Sequence, residues 1–261
     1  MPTGKRRRKM CRCCTGMGLP FGLLVCLAFA GLLGAGWSFA PGASSALGTP
    51  QDKQEQAAQT DAKTDQAEKQ DSETAVEKVL ETATFGSGCY WCTEAVFQRV
   101  KGVESVTSGF MGGTVVNPTY EQVCTGTTGH AEVLQVQFDP ATVSYEKLLE
   151  IFWSSHDPTT LNRQGNDVGP MYRSAVFYHS EEQKLLAVKY KSKLDEAKAF
   201  NAPIVTEITE ASEFYAAPDY HQDYYNRNKR KNPYCQMITY KLQNFRKAFK
   251  DVIDKEKDKV K

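Results

Sequence analysis

Two of the eight cysteines in this 261-residue chain lie three residues apart in Gly88-Cys89-Tyr90-Trp91-Cys92-Thr93-Glu94, where a β-prone run gives way to a helix. The run is 82–85, Gly86-Ser87-Gly88 supplies a turn, and residues 93–101 have apolar positions at helical spacing with Gly102 as a stop. A cysteine at a helix N-terminus faces unpaired backbone N–H groups and the positive end of the dipole, which favour thiolate over thiol. The expected chemistry is that of a working thiol at Cys89. Its bland rival is a structural disulfide.

The elements that must hold this thiol follow in alternation. Strands are expected over 105–110, 132–138, 173–178 and 204–208, and helices over 144–156, 180–200 and 241–254, with 215–225 a tyrosine-rich stretch of unassigned structure. This order suits an α+β fold, a two-layer α/β sandwich with a mixed sheet. The catalytic domain is expected to occupy 82–261.

The first eighty residues look nothing like a core. Lys5, Arg6, Arg7, Arg8, Lys9 and Arg12 precede an uncharged stretch that lasts until Asp52, and 19–40 is strongly apolar. A basic flank before some 20 apolar residues reads as a signal peptide or signal anchor over 1–46, with the basic end cytoplasmic. Retention as an anchor is preferred, because the apolar stretch is longer than an export signal needs. Residues 47–81 are polar, with nine acids against four lysines from Gln51 on, too few apolar groups to repay ordering, and read as a disordered tether. An extracytoplasmic location follows, membrane-anchored or exported. The net charge of +1 gives no sign of a nucleic-acid partner, and the four histidines show no metal-ligand spacing, so no metal is expected.

The block Gly88-Cys89-Tyr90-Trp91-Cys92 resembles the Gly-Cys-Phe-Trp signature of peptide methionine sulfoxide reductase A, with Tyr90 in place of the commoner Phe. Further matches follow in the family's order: Gly109-Phe-Met-Gly-Gly113, Asn117-Pro-Thr-Tyr120, Thr128-Gly-His-Ala-Glu132, His156-Asp-Pro158, Arg163-Gln-Gly-Asn-Asp167, Tyr172-Arg-Ser174 and Tyr220-His-Gln222. The resemblance implies reduction of methionine S-sulfoxide in proteins, with use of the free amino acid left open, by attack of Cys89 on sulfur. Glu132 would protonate the departing oxygen, supported by the hydroxyls of Tyr120 and Tyr172. Tyr90 and Trp91 would form an apolar slot for the substrate methyl group, and Asp167 would bind substrate or orient the site. No cofactor is implied; oxidised proteins are the substrates, thioredoxin or a thioredoxin-like donor the reductant, and a monomer is expected.

Turnover of this kind leaves Cys89 as a sulfenic acid that a second thiol must resolve. Cys92 has Cys-x-x-Cys spacing, and Cys235 matches a recycling position of the family, although Gln236-Met237-Ile238 stands where a glycine-rich segment would let it swing. Both are carried, with Cys235 marginally ahead. Cys124 reads as a buried apolar thiol. The rival enzyme is a membrane-tethered thioredoxin-like thiol-disulfide oxidoreductase, which uses Cys89 and Cys92 and leaves Glu132 and the tyrosines idle; the rival of another class is a surface scaffold stapled by disulfides.

Overall fold

The computed structural model describes residues 78–259; the expected membrane segment over 1–46 and nearly all of the expected tether lie outside them. Among the described residues no helix is long and apolar enough to cross a membrane. In chain order the elements are β1 (Glu81–Ser87), α1 (Tyr90–Phe97), β2 (Val103–Met111), α2 (Tyr120–Cys124), β3 (Ala131–Phe138), α3 (Tyr145–Ser154), β4 (Arg163–Gln164), β5 (Asp167–Val168), β6 (Ser174–Tyr178), α4 (Glu181–Glu196), β7 (Glu207–Glu210), β8 (Tyr215–Ala216), α5 (Tyr224–Asn228), α6 (Tyr234–Ala248) and α7 (Lys255–Asp258). Single 3₁₀ turns at Pro170–Tyr172 and Asp219–His221 complete them.

Six strands form one sheet in the order β7-β6-β1-β3-β2-β8, and β4 pairs with β5 in a separate hairpin. All pairings are antiparallel except β6 with β7, which makes the large sheet mixed. Register decides which side chains meet the helices. Phe85 lies opposite both Leu134 and Val176, and Ala83 opposite Val136; these residues join α1, α3, α4 and α6 in the larger core. The other face carries a smaller cluster of Met111, Ala131, Val133, Ala175 and Phe177, against which Ala211 and Phe214 pack. Helices on one face of the sheet thus form the main layer pair.

Phe85 anchors the main core, its ring 5.1 Å from that of Phe152 and 5.5 Å from that of Phe97. A fully buried Phe contributes about 1.5–3 kcal/mol by area alone.

Several boundaries differ from expectation. Helix α1 begins three residues early because Cys89 is its N-cap, its carbonyl accepting the Cys92 N–H at 3.1 Å. The strand expected over 204–208 lies at Glu207–Glu210, since the Ile204 N–H is taken by the Asp195 carboxylate and the Val205 N–H by the Pro158 carbonyl. Helix α6 starts at Tyr234, after Pro233, and stops at Ala248, six residues short of the expected end. The chain beyond it is claimed by α1's far end: Lys101 N–H donates to Val252 O, Asp254 N–H to Arg99 O, and Val100 bridges Ile253. The tyrosine-rich stretch becomes β8, a 3₁₀ turn and α5.

Candidate active site

Cys89 sits where β1 ends and α1 begins, in the middle of the sheet. Gly88 makes that corner: its φ is +87°, and a Cβ there would lie 2.5 Å from Gln164 in the β4–β5 hairpin. The glycine therefore lets the hairpin that carries Asp167 close against the cysteine.

Glu132 arrives from β3. It has the same parity as Leu134, Val136 and Phe138 and lies opposite Phe110, so it points to the helix side of the sheet instead of solvent. It is 2% exposed, and its Oε2 accepts the Tyr90 N–H at 3.2 Å, in the first turn of α1. Burial raises its pKa to about 8, helped by the negative charges of Asp167 and Cys92 and opposed by the Tyr90 N–H. Near neutral pH this carboxyl holds its proton.

The two thiols act as a pair. Interaction with the Cys89 thiol lowers Cys92 to about 6; burial opposes this, while Lys241 and the Tyr234 hydroxyl assist. Cys89 is raised by burial, by that interaction and by the neighbouring charge of Cys92. Burial thus opposes the thiolate that the helix N-terminus favours at Cys89. No first-turn N–H is capped by its side chain.

Around them the remaining expected residues gather unevenly. Tyr172 is buried at the end of a 3₁₀ turn, and burial together with Glu132 and Cys89 keeps its phenol protonated. Half-buried Tyr120 opens α2 behind a capping box of Thr119 and Gln122, its ring 4.4 Å from that of His221. Trp91 is partly buried and stacks on Tyr224 at 3.7 Å and 6°. Tyr90 is set deeper than a slot lining, 1% exposed, with its phenol oxygen 2.6 Å from His221 Nδ1. That contact gives the hydroxyl absent from the commoner Phe a buried partner. Asp167 is partly buried, raised by burial, and its Oδ2 accepts from the Tyr234 hydroxyl at 3.2 Å.

Cys235 is wholly buried in the first turn of α6, and burial and the charge of Cys92 raise its pKa. It is therefore part of a helix, in keeping with the lack of glycine in Gln236-Met237-Ile238. Cys124 is half-buried at the end of α2, not enclosed in the core as expected. All four described cysteines are free thiols.

Three residues that the sequence left without a role stand beside the site. His221 touches the rings of Tyr90, Trp91 and Tyr120, and burial holds it neutral, with a pKa near 4. Tyr234 reaches both Cys92 and Asp167. Glu94 is buried on α1, its carboxylate accepting the N–H groups of Asp223 and Tyr224 at 2.9 and 3.2 Å, which seats Tyr224 over Trp91. In the sequence His221 stood in the block Tyr220-His-Gln222 and Glu94 in the block around Cys89, neither with a task.

The profile of the peptide methionine sulfoxide reductase family matches residues 81–256. The chain belongs to this family. It is 53% identical over 175 residues to peptide methionine sulfoxide reductase MsrA of Saccharolobus solfataricus, covering 67% of this chain and 97% of that protein. With the MsrA of Sulfolobus acidocaldarius it shares 56% over 173 residues, 66% of this chain and 97% of that one. Among solved structures it is similar to Mxr1 of Saccharomyces cerevisiae in reduced form (TM-score 0.54, 32% identity, 59% of this chain and 88% of that chain). It is also similar to methionine sulfoxide reductase A of Corynebacterium diphtheriae (TM-score 0.52, 36% identity, 59% and 77%). Its activity is that of a peptide-methionine (S)-S-oxide reductase.

Proposed function

We propose that the sulfoxide oxygen is taken by Cys89 and protonated by Glu132, and that Cys92 resolves the product. The observation that carries this reading is a carboxyl 2% exposed, hydrogen-bonded to the residue after Cys89 and protonated up to about pH 8. A sulfoxide needs a soft nucleophile at sulfur and an acid at oxygen. As Cys89 attacks, its proton passes to the Cys92 thiolate, and Glu132 gives its proton to the oxygen. In the resulting adduct the hydroxyl moves from the substrate sulfur to the Cys89 sulfur as the substrate S–O bond and the new sulfur–sulfur bond break, so that methionine leaves and Cys89 is left as a sulfenic acid beside a Cys92 thiol. Tyr120 and Tyr172 supply hydroxyl groups around the oxygen.

Cys92 then attacks Cys89 sulfur, giving a Cys89–Cys92 disulfide and water. The pairing of the two thiols supports Cys92 as the first resolver, ahead of Cys235, which senses Cys92 from within α6. Cys235 would exchange with that disulfide, and a thioredoxin-like dithiol would reduce the product. The thiol-disulfide oxidoreductase reading fits less well, because both thiols are buried and Glu132 would have no task.

The N-terminal sequence extends the proposal. The basic cluster and the apolar 19–40 stretch would hold the domain outside the cytoplasm, so the reductant would be extracytoplasmic. Single-turnover reduction of separated S and R sulfoxides by the full chain, followed by disulfide mapping, tests the chemistry. Methionine from the S epimer with a Cys89–Cys92 bond supports it; a first disulfide that omits Cys92 overturns the resolving step.

A further inference from the structure

Tyr234 is placed by the fold against three groups that the reaction uses. Its hydroxyl is 3.5 Å from Cys92 Sγ and donates to Asp167 Oδ2 at 3.2 Å. It is also within the hydrogen-bonding and electrostatic reach of Cys89. The ring stands edge-on to Trp91, with centroids 6.0 Å apart. Its backbone is fixed by Asn232, whose Oδ1 accepts the Tyr234 N–H at 2.9 Å and whose Nδ2 donates to the Tyr224 hydroxyl at 2.7 Å. Residues 142 positions apart are thereby held in one hydrogen-bonded line, Cys92 to Tyr234 to Asp167.

We infer that Tyr234 is the proton-transfer residue of the disulfide-forming step, accepting the Cys92 thiol proton while passing its own to Asp167. This rests on Cys92 as the resolving thiol. After oxygen transfer Cys92 carries a proton and is a poor nucleophile until it loses it. The S–H of Cys92 can donate to the phenol oxygen while the phenol O–H already points at the carboxylate. Sulfur–sulfur bond formation then breaks the Cys89 S–O bond, and the proton lent to Asp167 returns to the departing hydroxyl, which leaves as water. Atoms and charge balance without an outside acid: Cys89–SOH plus Cys92–SH gives the disulfide plus water.

Two features fit this role. Burial and the nearby Cys89, Cys92 and Asp167 charges keep the Tyr234 phenol from ionising, so it can act only by accepting one proton as it gives another. Asp167 is raised by its own burial, against the Tyr234 hydrogen bond and Lys241, and so can hold a proton briefly. A phenylalanine at 234 would keep the ring against Trp91 and break the line.

The test is rapid-quench kinetics on the full chain with methionine S-sulfoxide and no reductant, following methionine release, dimedone-trapped sulfenic acid and the Cys89–Cys92 disulfide. For Tyr234→Phe the methionine burst should keep its amplitude, sulfenic acid should accumulate on Cys89, and disulfide formation should slow by about 10²-fold or more, the usual scale of general acid–base assistance. The residual rate should rise with pH as Cys92 ionises unaided. Disulfide formation at the wild-type rate in this variant would overturn the assignment. If it fails to fold, Asp167→Asn carries the same comparison: slowed disulfide formation with trapped sulfenic acid supports the line, and an unchanged rate refutes it. A wild-type first disulfide between Cys89 and Cys235 would instead remove the reading of Cys92 on which the inference rests.

Discussion

Replacing Glu132 by Gln should slow oxygen transfer and, in the same variant, make the protein more stable. Glu132 has a folded pKa of about 8 against an ordinary value of 4.5, raised first by burial. Between those two pH values the unfolded chain releases the proton and the folded chain keeps it, so stability falls as pH rises. The slope approaches about 1.4 kcal/mol per pH unit, which amounts to roughly 2.5 kcal/mol of lost stability between pH 5 and pH 7. Below the unfolded pKa the penalty vanishes. The glutamine side chain would retain an oxygen to accept the Tyr90 N–H but has no proton to lose, so the difference in unfolding free energy between variant and wild type should grow with pH across this window. Urea unfolding at pH 5, 6, 7 and 8 measures it. Single-turnover methionine formation should fall by about 10²–10⁴, and the wild-type rate should decline above about pH 8, where Glu132 ionises. Parallel stability curves for the two proteins, or an unchanged rate in the variant, would refute a buried, protonated acid at this position.

Cys89→Ser should abolish sulfoxide reduction, whereas Cys92→Ser and Cys235→Ser should each still form methionine in a single turnover, Cys92→Ser more slowly because the acceptor of the Cys89 proton is gone; product counting without reductant distinguishes them. Tyr90→Phe should leave His221 Nδ1 without its 2.6 Å partner and destabilise the fold by about 1–3 kcal/mol, the cost of an unsatisfied buried polar group, read by thermal unfolding. Phe85→Ala should cost about 3–5 kcal/mol by opening the centre of the core, measured the same way, with no shift in the pH dependence of activity. The full chain should resist carbonate extraction from membranes, and charge reversal at Arg6, Arg7 and Arg8 should disturb its orientation; a freely soluble product would show that the apolar segment is removed.

The thiol corner was legible because its signals are local: a short β-run, glycines, then a helix. The side taken by Glu132 could also have been read from parity, since it is in phase with Leu134 and Val136 while Gln135 and Gln137 take the other face. Helix ends were less legible where distant chain decides them, as where Arg99 and Lys101 draw residues 252–254 out of the helix expected there. Tyr234 and His221 gave no sequence signal of their tasks, because their partners lie 142 and 131 positions away. The burial of Cys89 was illegible for a similar reason. A helix N-terminus favours a thiolate at Cys89, but burial, which depends on packing, opposes it, and Cys92 stands close enough to couple with it.

The most direct test of the account is to locate the oxygen after one turnover. A full-length chain carrying both Cys92→Ser and Cys235→Ser, given one equivalent of methionine S-sulfoxide in the presence of dimedone, should release methionine and carry a single dimedone adduct on Cys89 by peptide mass spectrometry. Methionine release with no adduct on Cys89, or with the adduct on Cys124, would contradict it.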